Sequence, residues 1–177
     1  MKKLKNVRVL TVSAFLVAIA TVLGFFKIPI TELIEIRFQY LPIAVGGAMF
    51  GPAVGGVIGM LTDVLGYLVK PTGAFFPGFT ITSILSGIIY GVFFYKKKIT
   101  IPRIIAAELA ETIVCSLILN SINLSILYGN AFSVVVASRL LKVLIMFPVD
   151  TIILTVVLKA VPKLMPSGMK EEFAKEN

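Results

Sequence analysis

The chain has 177 residues, of which 58% are hydrophobic and only 15% are charged, so it is too apolar for a soluble domain, where about 25% of residues are charged. Its formal charge of +8 lies in cations at the ends of apolar runs rather than along one face, which argues against nucleic-acid binding. With no His and one Cys it has no structural zinc site or disulfide framework, and we expect no metal, no cofactor and one transmembrane domain over residues 1–177.

The first predicted helix covers residues 7–26. Its basic start resembles a signal peptide, but an h-region is about 7–15 residues long, so we expect an uncleaved membrane span. Ala14 and Ala18 form a small-xxx-small pair on this helix, which lets another helix approach closely. The alternative is that the pair packs against another helix of this protein. The segment 27–39 mixes charges with isoleucines and is predicted to be a loop at the interface or over a pocket mouth.

Glycine and proline concentrate in residues 37–80, which hold nine of the 14 glycines and four of the nine prolines. Both residues weaken an ordinary helix, and membranes tolerate them where helices press together or backbone lines a cavity. We expect a short helix over 40–50, a break at Gly51-Pro52 and a longer helix over 52–69. This region is predicted to form one wall of a ligand pocket.

Residues 70–78 (KPTGAFFPG) are predicted to form a lid-like loop over that pocket. Two prolines and two glycines exclude a helix there, whereas Phe75 and Phe76 are too apolar for an exposed loop. The two rings must therefore pack against a ligand, against lipid or against the helix bundle.

Three further helices are predicted, over residues 79–95, 104–127 and 132–161. The last is longer than the hydrocarbon core of a bilayer, so it should tilt or kink, and Pro148 is the obvious place. Three acidic residues in the last two helices are expected to pair structurally or to contact a partner rather than a ligand: Glu108, Glu111 and Asp150.

The distribution of cations predicts an all-α membrane protein, a bundle of six transmembrane helical segments with both termini in the cytoplasm. Twelve cations fall on the cytoplasmic side: Lys2, Lys3, Lys5, Arg8, Lys96, Lys97, Lys98, Arg103, Lys159, Lys163, Lys170 and Lys175. Three fall on the other side: Lys27, Arg37 and Lys70.

Polar side chains at membrane depth cost about 2.5–3.5 kcal/mol when charged, so they indicate function. The predicted topology places five of them in the outer half of the bundle: Asp63, Asn120, Asn123, Arg139 and Lys142. Arg139 and Lys142 share a helix face and, with Arg37 and Lys70, would surround an outward cavity suited to a ligand with carboxylates. Internal ion pairing of Asp63 with Lys142 or Arg139 is the alternative.

Other residues of this region suit a flat heterocycle. Asp63 could accept hydrogen bonds from its donor-rich edge, and four aromatic residues could stack on it: Tyr40, Tyr67, Phe75 and Phe76. No Gly-Lys-Ser/Thr motif and no His for general base chemistry occur, so we expect a binding protein and not an enzyme. Uphill transport would need energy from another subunit or an ion gradient.

Three groups of residues follow one another along this chain: Arg37…Leu41-Pro42…Gly51-Pro52, then Asp63…Gly66-Tyr67, then residues 73–80 (GAFFPGFT). With the length and the expected six helices, they resemble the substrate-binding S components of energy-coupling factor (ECF) vitamin transporters, most closely the folate-specific type. The resemblance implies a multi-pass protein of the bacterial plasma membrane that binds one vitamin from outside. It also implies docking on a membrane coupling subunit, energised by two cytoplasmic ATPases, with Ala14 and Ala18 at the matching docking positions, and toppling of the protein in the membrane.

Folate, with a flat pterin, an aromatic linker and a glutamate, fits the charge pattern. We expect the carboxylate end at Arg139, Lys142 and Arg37, and the pterin edge at Asp63, Asn120 or Asn123. The alternatives are an S component for riboflavin, thiamin or pantothenate, a self-sufficient small transporter or channel, and a non-transporting membrane scaffold.

Overall fold

The computed structural model describes residues 7–26, 28–31, 34–36, 38–71 and 75–164. Within these ranges the chain is helical apart from one short hairpin, with these elements in order: α1 (Val7–Phe25), β1 (Ile28–Thr31), β2 (Ile34–Ile36), α2 (Tyr40–Phe50), α3 (Pro52–Val69), α4 (Pro77–Phe94), α5 (Ile101–Glu111), a π-helical segment (Thr112–Leu119), α6 (Asn120–Tyr128) and α7 (Phe132–Leu164).

Five helical stretches of the described chain are long and apolar enough to cross a membrane: Val7–Phe25, Pro52–Val69, Pro77–Phe94, Ile101–Tyr128 and Lys142–Val161. The apolar helix α2 is shorter, with 11 residues. The prediction of a helical protein with several membrane spans agrees with this arrangement. The count of six crossing segments and the cytoplasmic position of both termini stay predictions.

The break between α2 and α3 lies where the sequence predicts it. Gly51 has a φ of 98°, a left-handed value that glycine adopts without the steric penalty of a Cβ atom. Pro52 then begins α3 at its first position, where the missing N–H breaks no helical hydrogen bond. The predicted bounds of both helices, 40–50 and 52–69, are confirmed.

Two segments differ from prediction. The expected loop over 27–39 contains β1 and β2, which pair antiparallel with Ile28 opposite Ile36. The alternation of isoleucine with other residues in both strands is the period of two typical of a strand. The lid is also shorter than predicted, because α4 begins at Pro77 and proline fits the first position of a helix. Residues 72–74 of the lid lie outside the described residues.

The predicted helix over 104–127 is part of a longer rod from Ile101 to Tyr128, in which Thr112–Leu119 is π-helical. Gly129, with a φ of 69°, ends it. The next helix, α7, has 33 residues and a length of about 50 Å, which exceeds a hydrocarbon core of about 30 Å. A kink at Pro148 stays a prediction.

Glycines bring α2, α3 and α4 into backbone contact. A Cβ added at Gly55 would lie 2.5 Å from the carbonyl oxygen of Gly87 and 2.8 Å from the Cα of Gly47. A Cβ added at Gly47 would lie 2.9 Å from the backbone nitrogen of Gly91. Three helices that touch through their backbones form a closely packed unit, as small residues permit in membrane proteins. We call these three helices the glycine-packed unit.

Candidate functional site

A cavity of about 310 Å³ lies between the glycine-packed unit and the last helices, and all seven α-helices contribute to its lining. This volume falls within the range of small-molecule sites, about 300–1,000 Å³. On the rod formed by α5, the π segment and α6, the lining residues run from Glu108 to Tyr128, a rise of about 30 Å. The site is therefore elongated along the helix axes.

Of the eleven side chains predicted to bind a ligand, nine line this cavity: Tyr40, Asp63, Tyr67, Lys70, Phe75, Phe76, Asn120, Arg139 and Lys142. Asn123 does not line it, because its amide Nδ2 donates to Thr82 Oγ1 at 3.1 Å on the neighbouring helix α4. Arg37 lies outside the described residues. Which of these side chains contacts a ligand stays a prediction.

One end of the cavity, which we call the mouth, is formed by the end of α3 and the described part of the lid. The rings of Tyr67 and Phe75 lie 5.1 Å apart between their centroids, and Phe75 is 46% exposed. Phe76 packs edge-on against Phe79 at the start of α4, with 6.0 Å between the ring centroids. The faces of these rings that are not covered by each other could stack on an aromatic ligand.

Asp63 lies beside the mouth on α3. Its Oδ2 accepts a hydrogen bond of 2.7 Å from the Oγ1 of Thr80 on α4. The bond joins the two helices that flank the lid and fixes the orientation of the carboxylate.

Arg139 and Lys142 both line the cavity from α7. The Arg139 side chain is buried, with 6% exposed, and its Nη2 lies 3.5 Å from Ser116 Oγ. Their positive charges also act on the carboxylate of Glu111. A buried guanidinium beside an ammonium group in a cavity favours a ligand that carries carboxylates, since Arg pairs with these in a bidentate geometry.

Three further carboxylates line the cavity at the end remote from the lid, in addition to the predicted residues: Glu108, Glu111 and Asp150. Each accepts a hydrogen bond from a hydroxyl of the glycine-packed unit. Tyr90 donates to Glu108 Oε2 at 3.0 Å, Ser86 to Glu111 Oε1 at 3.2 Å, and Tyr40 to Asp150 Oδ1 at 2.9 Å.

The spacing of polar residues along the rod is a signal that indicates this wall of the cavity. Glu108, Thr112, Ser116 and Asn120 recur every four positions, close to one helical turn, and Glu111 follows Glu108 by three; all five line the cavity. Polar residues that recur at this interval in an apolar helix predict one polar face.

Ala14 and Ala18 are exposed on α1, and neither lines the cavity. The pair therefore does not pack inside the described part of the chain. A small-residue surface on the outside of a membrane helix suits contact with another helix.

The chain matches a family model described as ECF transporter, substrate-specific component, over residues 8–158. It is 40% identical to the folate transporter FolT of Clostridium novyi over 172 aligned residues, and these cover 97% of this chain and 100% of the relative. The riboflavin transporter RibU of Staphylococcus aureus is 30% identical over 153 residues, 80% of this chain and 77% of the relative. Among solved structures, the fold is similar to a crystal structure of FolT bound with folic acid, with a TM-score of 0.77, 35% identity, and coverage of 82% of this chain and 89% of that chain.

Proposed function

Because this chain belongs to the family of ECF transporter substrate-specific components, we propose that it is the folate-binding subunit of an ATP-driven vitamin importer. The observation that carries the proposal is the elongated cavity with Arg139 buried beside Lys142 in a fold that resembles folate-bound FolT. Folate joins a flat pterin, an aromatic linker and a glutamate in one row, so it needs a long site with aromatic and cationic walls.

We assign the carboxylates of folate to Arg139 and Lys142, with Arg37 in the same role. The aromatic walls come from four residues: Tyr40, Tyr67, Phe75 and Phe76. Lys70 contributes a positive charge at the mouth, where an anionic ligand enters. Asp63 and Asn120 line the cavity, which supports their assignment to the pterin edge. Asn123 could bind that edge only if its hydrogen bond to Thr82 were broken.

Transport requires partners. We propose that the protein lies in the cell membrane with both termini in the cytoplasm, where two ATPases energise the complex. It docks on a membrane coupling subunit through the exposed surface around Ala14 and Ala18, and it delivers folate by reorienting in the bilayer. The exposure of this pair on α1 supports the docking assignment.

The ligand assignment is tested by purifying the full-length protein in detergent and following labelled folic acid through buffer exchange. We expect retention of folic acid that excess unlabelled folic acid abolishes and excess riboflavin or thiamin does not. Retention of riboflavin or thiamin instead would indicate a different vitamin specificity. Uptake by liposomes that contain this protein alone would favour a self-sufficient transporter, and an absence of binding to any vitamin would favour a scaffold.

Replacing Ala14 with leucine is expected to leave folate affinity within about twofold and to lower uptake by the complete importer by about tenfold or more. The larger side chain would hold the coupling subunit away from α1, since close helix contacts in membranes need small residues. Uptake into vesicles and folate binding are measured side by side. The matched control is Ala137→Leu, which makes the same change at an exposed residue of α7 that does not line the cavity, and it should retain uptake. Loss of binding in Ala14→Leu would contradict the docking role.

A further inference from the structure

We propose that the turn between α4 and α5 binds the phosphate group of an anionic membrane lipid. We call residues 95–100 the basic turn, because Lys96, Lys97 and Lys98 follow one another in it, and Arg103 lies close by at the start of α5. None of these four cations lines the ligand cavity. The site is therefore separate from the cavity, and the proposal does not depend on which vitamin the protein carries.

The basic turn lies at the end of the bundle remote from the lid. Helix α4 begins at Pro77, directly after the lid, and its 18 residues give it a length of about 27 Å. This length is close to the hydrocarbon thickness of a bilayer, about 30 Å, so a membrane around α4 ends at the basic turn. Tyr95 follows α4, and tyrosine is enriched at the level of the lipid headgroups. The three lysines after it therefore lie at the depth of the phosphates.

Exposed apolar side chains lie beside these cations. They are Val92 in the last turn of α4 and Ile101 and Ile105 in the first two turns of α5. Residues 96–98 are also exposed. A phospholipid has acyl chains beside its charged headgroup, so it can contact both parts of this surface, whereas a free anion would use only the cations. The surface thus favours a lipid as the occupant.

Two cations of this region are held in place by backbone carbonyl groups. Lys97 Nζ donates to the carbonyl oxygen of Val92 at 2.9 Å, and Arg103 Nη1 donates to the carbonyl oxygen of Lys98 at 2.7 Å. An ammonium group has three donors and a guanidinium group has five, so both retain donors for an anion. Side chains that are already ordered lose less entropy when they bind a ligand. The contacts therefore preorganise the turn for a phosphate.

Lys96 occupies a backbone position that usually belongs to glycine. It follows the end of α4 at Phe94 and has a φ of 55°, and no other non-glycine residue of the described chain has a positive φ. Helices often end with a glycine in this conformation, because a Cβ atom is unfavourable there. The Lys96 Nζ lies 5.5 Å from the centroid of the Tyr95 ring. A long side chain at a strained position points to a function of that side chain.

The alternative is that the cations only set the orientation of the protein in the membrane. The positive-inside rule depends on the number of cations near the ends of the spans, so any cation at this end would serve it equally. Lys159 is one of these cations. It is exposed near the end of α7, which runs back from Gly129 toward the end of the bundle where α5 begins. A lipid site in the basic turn instead makes Lys96 more important than Lys159.

The test is native mass spectrometry of the full-length protein in detergent, titrated with phosphatidylglycerol or with phosphatidylcholine of the same acyl chains. The unaltered protein should retain phosphatidylglycerol about tenfold or more over phosphatidylcholine. Lys96→Gln should lower this ratio about fivefold, which is the contribution of one lysine beside an anionic headgroup. Lys159→Gln is the matched control, because it removes the same charge at the same end, and it should change the ratio by less than about twofold.

A second variant separates lipid binding from folding. Lys96→Gly removes the Cβ atom at the positive φ, so the thermal unfolding midpoint should stay the same or rise. The lipid ratio should nevertheless fall about fivefold, as in Lys96→Gln. A lysine that serves only the fold predicts the reverse, a lower midpoint with an unchanged lipid ratio.

Four results would overturn the proposal. A lipid ratio near one in the unaltered protein would favour an acidic protein surface as the partner. Equal losses in Lys96→Gln and Lys159→Gln would show a diffuse effect of charge without a site. An unchanged ratio in Lys96→Gly would exclude a role for this side chain. Displacement of phosphatidylglycerol by inorganic phosphate at constant ionic strength would indicate a site for the free anion.

Discussion

Replacing Arg139 with alanine is expected to weaken folate binding about 100-fold or more, while 6-hydroxymethylpterin, which lacks the glutamate tail, should change by about threefold or less. Arg139 is 6% exposed in the cavity, and loss of one partner from a buried charge pair costs about 2–5 kcal/mol in binding. A pterin without carboxylates does not use that pair. Titration calorimetry with the two ligands measures the difference.

The control for Arg139→Ala is Lys159→Ala. Lys159 is an exposed cation on the same helix and does not line the cavity, so its removal should leave both affinities unchanged. The thermal unfolding midpoint of each variant shows whether the fold is intact. Equal losses of folate and 6-hydroxymethylpterin would assign Arg139 to an internal ion pair, for example with Glu111, and would reject its role as a carboxylate ligand.

Replacing Gly55 with alanine is expected to destabilise the protein by about 3 kcal/mol. The added methyl would meet the backbone of Gly87 and Gly47, and backbone atoms cannot rotate away as a side chain can. Overpacking of this kind typically costs about 1–3 kcal/mol, and a clash with backbone belongs at the upper end. For a chain of this size, the loss corresponds to about 6–12 °C in the unfolding midpoint.

Gly66→Ala is the matched control, because it makes the same change on the same helix. A Cβ added there meets no atom within 4 Å, and alanine favours a helix over glycine by about 0.5–1 kcal/mol. Its unfolding midpoint should stay the same or rise. Equal midpoints for the two variants in detergent would show that α3 and α4 are less closely packed than their glycines indicate.

The sequence predicts the fold best where local chemistry decides. Gly51-Pro52 ends one helix and begins the next, so the bounds of α2 and α3 follow from two residues. The sequence predicts neither the hairpin of β1 and β2 nor the early start of α4 at Pro77. The isoleucines fit a loop or a strand, and the proline fits a loop or the first position of a helix. Only the surrounding chain decides between these structures.

The sequence predicts the site less completely, because the site depends on contacts between distant residues. Depth along the helices and the sign of charge predicted that Arg139, Lys142 and Asp63 would lie at one cavity. The same reasoning assigned Asp150 to structural pairing or partner contact, and its hydrogen bond from Tyr40 agrees with structural pairing, but nothing local indicates a partner 110 positions earlier. Asn123 has the right depth on α6, but its amide faces Thr82 on α4.

The division between the glycine-packed unit and the later helices has a consequence for biosynthesis. The contacts of Gly47 with Gly91 and of Gly55 with Gly87 need only the first 91 of the 177 residues. The hydrogen bond from Tyr40 to Asp150, in contrast, cannot form until most of the polypeptide has left the ribosome. A nascent chain can therefore insert and pack its first helices well before it can hold a vitamin, and a product that stops short of α7 would be a packed but empty membrane protein.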